Sequence, residues 1–236
     1  MILGIPQFIG RSIRNKLISI LEIIDLLIHS LEQFIIRSKE RKVLRPIIYK
    51  QILFTGYDAL KLIGIIALGM GGIVLFLTQS ISKTIFFDQA LVGVLMSQVI
   101  LRELGPLIVA IILVGRSGTA VATEIANMKV NNEIEALESL GIDPVHYLVA
   151  PRIIGMTFSL VFLTIYFFFI AMLGGYLFST TFFSVHLPLD EYLKIVFDKM
   201  EVADIGFSLL KSLFFGLFIS TIACYKGLKV PPSSNF

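Results

Sequence analysis

The chain has 236 residues, of which 56% are hydrophobic and 16% charged, and its mean hydropathy is +0.88. Those values exclude an ordinary soluble domain. A net charge of only +3, with no basic run beside aromatics, excludes a nucleic-acid binder.

Residues 7–37 set Arg11, Arg14, Asn15, Glu22, Asp25, His29, Glu32, Gln33 and Arg37 mostly three or four apart, with Ile, Leu and Phe between them. That spacing predicts an amphipathic helix too charged to span. It is expected in the headgroup layer on the inner side, its Arg and Lys near lipid phosphates; packing on other protein is the alternative. Between Lys61 and Lys83 no charge interrupts residues 62–82. A spanning helix needs roughly 20 apolar residues, so this is a first span. Gly64, Gly69, Gly71 and Gly72 within it permit close approach of a helix or a bulky ligand.

A second span, 91–114, is interrupted by Arg102 and Glu103, which lipid does not tolerate cheaply, so this helix is expected to pack against protein. Neighbours on a helix point about 100° apart, so the two side chains need other partners or water. Pro106 donates no backbone hydrogen bond and crowds the carbonyl of Arg102, which predicts a kink with a freed acceptor beside a cavity. Arg116 and Glu124, eight residues apart, fit one helix face and continue this polar track; interfacial anchoring is the alternative. The segment from Arg116 to Arg152 is read as an internal loop.

Within that loop, residues 131–141 predict a short helix: Asn132 as cap, Glu135 at the capping-box position, Gly141 as terminator. Ile134, Leu137 and Leu140 form an apolar strip, while Glu133, Glu135 and Glu138 make the rest acidic. The strip docks into a partner's groove or packs on the chain's own helix ends.

No charge occurs between Arg152 and Asp190, and residues 153–178 form a third span. A fourth, 205–225, contains Lys211 and is also expected to pack against protein. Lys and Arg crowd residues 11–50, whereas 178–205 carries Asp190, Glu191, Asp198, Glu201 and Asp204 against Lys194 and Lys199. The N-terminus, the 116–152 segment and the end with Lys226 and Lys229 are therefore expected inside.

The lone Cys224 rules out an internal disulfide, and no Cys/His metal spacing occurs, so no metal ligand is expected. Neither a nucleotide-binding glycine loop nor paired catalytic Asp, GxSxG or HExxH is present. No catalytic residue is assigned.

The combination of Arg102-Glu103-Leu104-Gly105-Pro106, Gly115-Arg116-Ser117-Gly118, Glu124, Glu135-Ala136-Leu137, Leu140-Gly141-Ile142-Asp143-Pro144, Pro151-Arg152, Gly174-Gly175-Tyr176 and Cys224-Tyr225-Lys226-Gly227 resembles the MlaE/TGD1-type permease family. These are the membrane subunits of ABC transporters that work with MCE-domain lipid carriers. The resemblance covers about residues 45–230. It implies an all-α integral membrane protein: an interfacial helix region (1–50), a permease domain of four to five spans (51–230) and a short tail (231–236). Relatives continue after Gly227 into a last span, which this chain is expected to lack. The resemblance further implies a homodimer on two cytosolic ATPases, which use ATP and Mg; this chain itself binds no cofactor. The coupling helix would comprise Glu133, Ile134, Glu135, Leu137, Glu138, Leu140, Gly141 and Asp143. Arg102, Glu103, Pro106 and Gln79 would border a lipid cavity or gate. Such permeases sit in bacterial inner membranes or plastid envelopes. Two other readings remain at this point: an ion-coupled transporter or channel using Arg102, Glu103 and Glu124 as a relay, and a structural membrane protein without transport.

Overall fold

In hydrocarbon every backbone polar group must be satisfied within its own segment, which leaves helices as the simplest solution for so apolar a chain. The computed structural model describes residues 4–36, 41–82, 89–182 and 188–231, and these contain helices and no strand. α1 is Gly4–Ile36 and α2 is Arg41–Thr55. After a turn at Tyr57–Ala59, α3 runs Leu60–Ser82. α4 is a rod over 89–130, assembled from Gln89–Val94, Leu95–Leu104, Gly105–Leu113, Val114–Gly118 and Thr119–Val130. α5 is Glu133–Ser139. α6 occupies 145–182, a first turn Val145–Val149 followed by Ala150–Phe182. α7 is Leu189–Lys199 and α8 is Val202–Leu228.

Among the described residues four helical stretches are long and apolar enough to cross a membrane: Leu44–Thr78, Leu91–Val130, Val145–Thr181 and Val202–Leu228. They overlap the four expected spans, but the first begins well before 62 and ends at Thr78, and the second reaches much further than 91–114. The segment read as an internal loop continues α4 to Val130, because Val121 and Ile125 remain buried against the last turns of α8. Tertiary packing overrides the polar residues there that suggested a loop. The acidic segment after the third span likewise holds a helix, α7, whose Tyr192 and Val196 are buried beside the start of α4.

α6 is the central element. Its apolar window is 56% buried, against 39% for each of the other three spans, and it packs against α2, α3, α4 and α8. The α3–α6 contact is the most intimate. A Cβ on Gly71 would lie 1.8 Å from the carbonyl oxygen of Ala171, and one on Gly174 would lie 2.4 Å from that of Leu68. Of the glycines read from the sequence, Gly71 and Gly72 thus serve helix contact, whereas a Cβ on Gly69 would meet nothing within 4 Å. Two apolar clusters result. One joins α3, α4, α6 and α7 around Ile63, Met96, Ile100 and Phe167. The other joins α4, α5, α6 and α8 around Ile125, Ile134, Ile153 and Cys224.

α1 rests on the second cluster through Leu26 and Leu27. Its Glu22 accepts hydrogen bonds from Tyr225 Oη and, at 3.1 Å, from Lys229 Nζ. Leu17, Leu21, Ile24 and Ile28 lie exposed along the opposite side. Tyr225 and Lys229 hold the Glu22 carboxyl below its ordinary 4.5, and Tyr225 and Glu22 raise the Lys229 amine above its ordinary 10.5.

Two outcomes follow. Gly71→Leu forces α3 off α6 and lowers thermal stability in detergent, at the upper end of the roughly 1–3 kcal/mol typical of overpacking; Gly69→Leu leaves the melting temperature near wild type. For α1, a lowered carboxyl pKa contributes stability above 4.5 that is lost as pH falls through the lowered value, and a raised amine pKa contributes below 10.5 and is lost as pH rises through the raised value. The protection of α1 amides, relative to their intrinsic exchange rate at each pH, is therefore greatest between these limits, and Glu22→Gln lowers it at neutral pH without changing protection in α6.

Candidate functional site

Arg102 and Glu103 lie in Leu95–Leu104, a stretch of π-helix in which the Gly105 N–H reaches back five residues to the carbonyl of Ile100. Such stretches are uncommon and concentrate at functional sites. Pro106 lies in the first turn of the following α-helical segment, within the continuous rod, where it donates no backbone hydrogen bond. The carbonyl it crowds, that of Arg102, accepts a hydrogen bond from Lys211 Nζ of α8 at 3.2 Å. The acceptor freed by the proline is present and in use.

The same Lys211 amine donates to Glu103 Oε2 at 2.6 Å. Arg102 turns the other way, its Nη1 3.5 Å from Asp204 Oδ1 and its guanidinium 4.7 Å above the ring of Phe207. The adjacent Arg102 and Glu103 approach only to 3.6 Å, so each relies mainly on α8. Asp204 is buried and also completes a capping box with Glu201 at the start of α8, its Oδ2 accepting from the Glu201 N–H at 3.3 Å. Two cations and two anions thus form a neutral cluster joining α4 to α8. Mutual pairing makes charges tolerable among spans. Just beyond it Ser212 Oγ hydrogen-bonds Thr164 Oγ1 of α6 at 3.0 Å. The sequence pointed to Arg102 and Glu103 but not to their partners. The charge of Lys211 within an apolar run was the available signal; Asp204 sat at a span edge and gave none.

Arg116 and Glu124 do not meet. Arg116 reaches α2 and its turn, 3.1 Å from Asp58 Oδ2, with a hydrogen bond to the Phe54 carbonyl at 3.3 Å. Glu124 pairs with the buried Arg152 of α6 at 2.8 Å. Each therefore ties α4 to a different neighbour. The side chain of Gln79 lies outside the described residues.

At the far end of α4, α5 stands where the sequence put it, but its capping differs. Asn132 takes a left-handed conformation, φ 57°, and caps with no side-chain hydrogen bond. Glu135 instead hydrogen-bonds Lys129 in α4, which holds its carboxyl below the ordinary range. The helix closes on Gly141, φ 75°, with the Ile142 N–H on the Leu137 carbonyl and the Gly141 N–H on that of Glu138. Asp143 caps the next turn through the Val145 N–H. The apolar strip divides: Ile134 is buried and Leu137 packs on the second cluster, but Leu140 is 75% exposed and Ile142 is exposed beside it. Glu133 and Glu138 are exposed around them.

Among the described residues no group of His, Cys, Asp and Glu is placed to hold a metal ion. The fold and these sites define an α-helical integral membrane protein whose spans are tied together by paired internal charges and which presents a short acidic-apolar helix at one end. The chain belongs to the MlaE permease family, whose description, Permease MlaE, matches residues 48–235. It is 33% identical to a probable ABC transporter permease protein of Rickettsia typhi over 77% of this chain and 69% of that one. It is 34% identical to a probable ABC transporter permease protein of Synechocystis over 70% and 62% of the two chains. To the chloroplastic protein TRIGALACTOSYLDIACYLGLYCEROL 1 of Arabidopsis thaliana it is 35% identical, over 54% of this chain and 36% of that one. Membership places the chain among the ABC transporter permeases.

Removing Lys211 strands both Glu103 and the Arg102 carbonyl, so Lys211→Met destabilises the chain, and Glu103→Gln added to it recovers part of the loss. A double-mutant cycle on detergent thermal unfolding is expected to give a coupling of about 1–2 kcal/mol; additive effects would dissolve the pair.

Proposed function

We propose that this chain is the membrane-spanning subunit of a transporter that moves lipid, most simply phospholipid, at the expense of ATP hydrolysed by a separate cytosolic subunit. It works as a homodimer, with an MCE-domain carrier accepting or delivering lipid, and binds no cofactor itself; ATP and Mg belong to the ATPase. The observation that carries the reading is α5. A helix of seven residues, clamped to α4 by Lys129–Glu135 and to the core by Ile134, leaves Leu140 exposed among carboxylates. An apolar knob in an acidic rim suits a basic-edged groove on a partner.

The excess of Lys and Arg near the N-terminus supports a cytosolic or stromal N-terminus, with α5 and the end of α8 on that side. The membrane is then a bacterial inner membrane or a plastid inner envelope. α1, docked through Glu22 with its apolar stripe outward, suits an interfacial helix whose Leu17, Leu21, Ile24 and Ile28 enter the lipid. In this reading Arg102, Glu103 and Pro106, with Gln79, border the lipid path. Asp204 and Lys211 keep the two charges neutral until a headgroup competes for them. The name of the relative TRIGALACTOSYLDIACYLGLYCEROL 1 is that of a glycerolipid, which agrees with a lipid cargo.

Because Leu137 is partly buried against the chain's own core, Leu140 is the informative position. Leu140→Asp is expected to reduce co-purification of the co-expressed ATPase by an order of magnitude or more while membrane insertion and melting temperature stay near wild type. Undiminished co-purification removes α5 as the docking element.

A further inference from the structure

Near one end of the bundle α4 and α8 part to leave a cleft of about 270 Å³, lined by Val114, Gly118, Ala122, Ile219, Ala223 and, at its end, Lys226. Gly118, Ala122 and Ala223 hollow it, and Val114 and Ile222 form exposed lips. The walls belong to two stretches long and apolar enough to cross a membrane, and the lining is almost wholly apolar, which suits acyl chains better than water. Lys226 is its one charged lining residue. Its amine is exposed and makes no ion pair among the described residues. The neighbouring charges are committed elsewhere: Lys229 to Glu22, and Glu124 to Arg152.

An apolar trough ending in a free ammonium at the edge of the hydrocarbon is complementary to an acyl chain below an anionic headgroup. From Ile219 to Lys226 the trough runs about 10 Å along the helix axis, roughly a third of the hydrocarbon thickness. It seats the part of one chain nearest the headgroup and leaves the rest among bulk lipid. We propose that this cleft binds an anionic glycerophospholipid of the surrounding leaflet, one acyl chain between α4 and α8 and its phosphate on Lys226. This resident lipid is separate from any transported one, and the proposal rests on the spans alone.

The test uses the full chain in nanodiscs of phosphatidylcholine doped with phosphatidylglycerol carrying a diazirine on its acyl chain. After irradiation, adducts are mapped by peptide mass spectrometry. Adducts are expected to concentrate in residues 114–122 and 219–226. Lys226→Glu reduces them about five-fold, as does replacing the anionic probe by its phosphatidylcholine analogue, since one basic side chain contributes about that factor. Lys226→Arg keeps them, and Ala223→Phe, which fills the trough, abolishes them. Labelling spread evenly over every lipid-facing helix, equal labelling by the neutral probe, indifference to Lys226→Glu, or a crosslink to a second copy of the chain instead of to lipid would each overturn the proposal. No ATP or partner subunit is present, so failure here leaves the transport reading untouched, and a failed transport assay leaves this site untouched.

Discussion

A charge or a carbonyl left unpaired in hydrocarbon is so unfavourable that it dictates the arrangement around it. Lys211 answers that constraint at one point. Pro106 denies α4 a helical hydrogen bond and crowds the Arg102 carbonyl, and Glu103 adds a charge in the same turn. One ammonium, reaching across from α8, takes both acceptors. Arg102 is then balanced by Asp204, which is itself fixed by the capping box that starts α8. The register between α4 and α8 follows, since sliding either helix by one turn, about 5.4 Å, would break all of these contacts together.

With the register fixed by charge, closeness comes from small residues. Without a hydrophobic drive between helices in lipid, short side chains let backbones touch. Asp204, Ser208, Ser212, Gly216, Ser220 and Cys224 recur every fourth residue along α8, and all are buried. Their stripe lies against α6 at Thr164 and Thr157, where a Cβ on Gly216 would meet the Thr157 Cα at 2.7 Å. Ser212 and Ser220 donate to carbonyls of their own helix, those of Ser208 and Gly216, and Ser212 also pairs with Thr164 of α6. α6 thus has α3 against its glycines on one side and α8 on another, which explains its central burial.

What the sequence made legible follows from what it encodes locally. Uninterrupted apolar length marked the four spans, and the spacing of polar residues marked α1, because both signals lie within single helices. Gly141 likewise announced the end of α5 through its left-handed backbone. The missed features are relations between distant segments. Nothing in residues 116–130 says that the helix continues, since its reason is the last turns of α8, about a hundred residues on. Arg116 and Glu124 share a spacing that fits one face, yet Asp58 and Arg152 claim them separately. Asn132 has the chemistry of a cap, but its left-handed backbone provides the turn and Lys129 takes Glu135. In each case the residue type was informative and its partner was not.

The same rod that carries the charge cluster carries α5, so any coupling between the two would run along α4. From Arg102 to Val130 α4 extends about 40 Å at the helical rise, with α5 clamped at its end by Lys129–Glu135. A plain α-helix of that length transmits displacement but offers no second state. α4 differs in having two π-helical stretches, Leu95–Leu104 and Val114–Gly118, one at the charge cluster and one beside Arg116. Each holds an extra residue in its turn, so returning to α-helical bonding would rotate everything beyond it relative to what lies before. The ion pairs of Arg102, Glu103 and Arg116 occupy these two stretches, and they set the cost of such a rotation. A mechanical link between α5 and the cluster would therefore need no flexible joint, only exchange of ion-pair partners at the two places where α4 is already underwound.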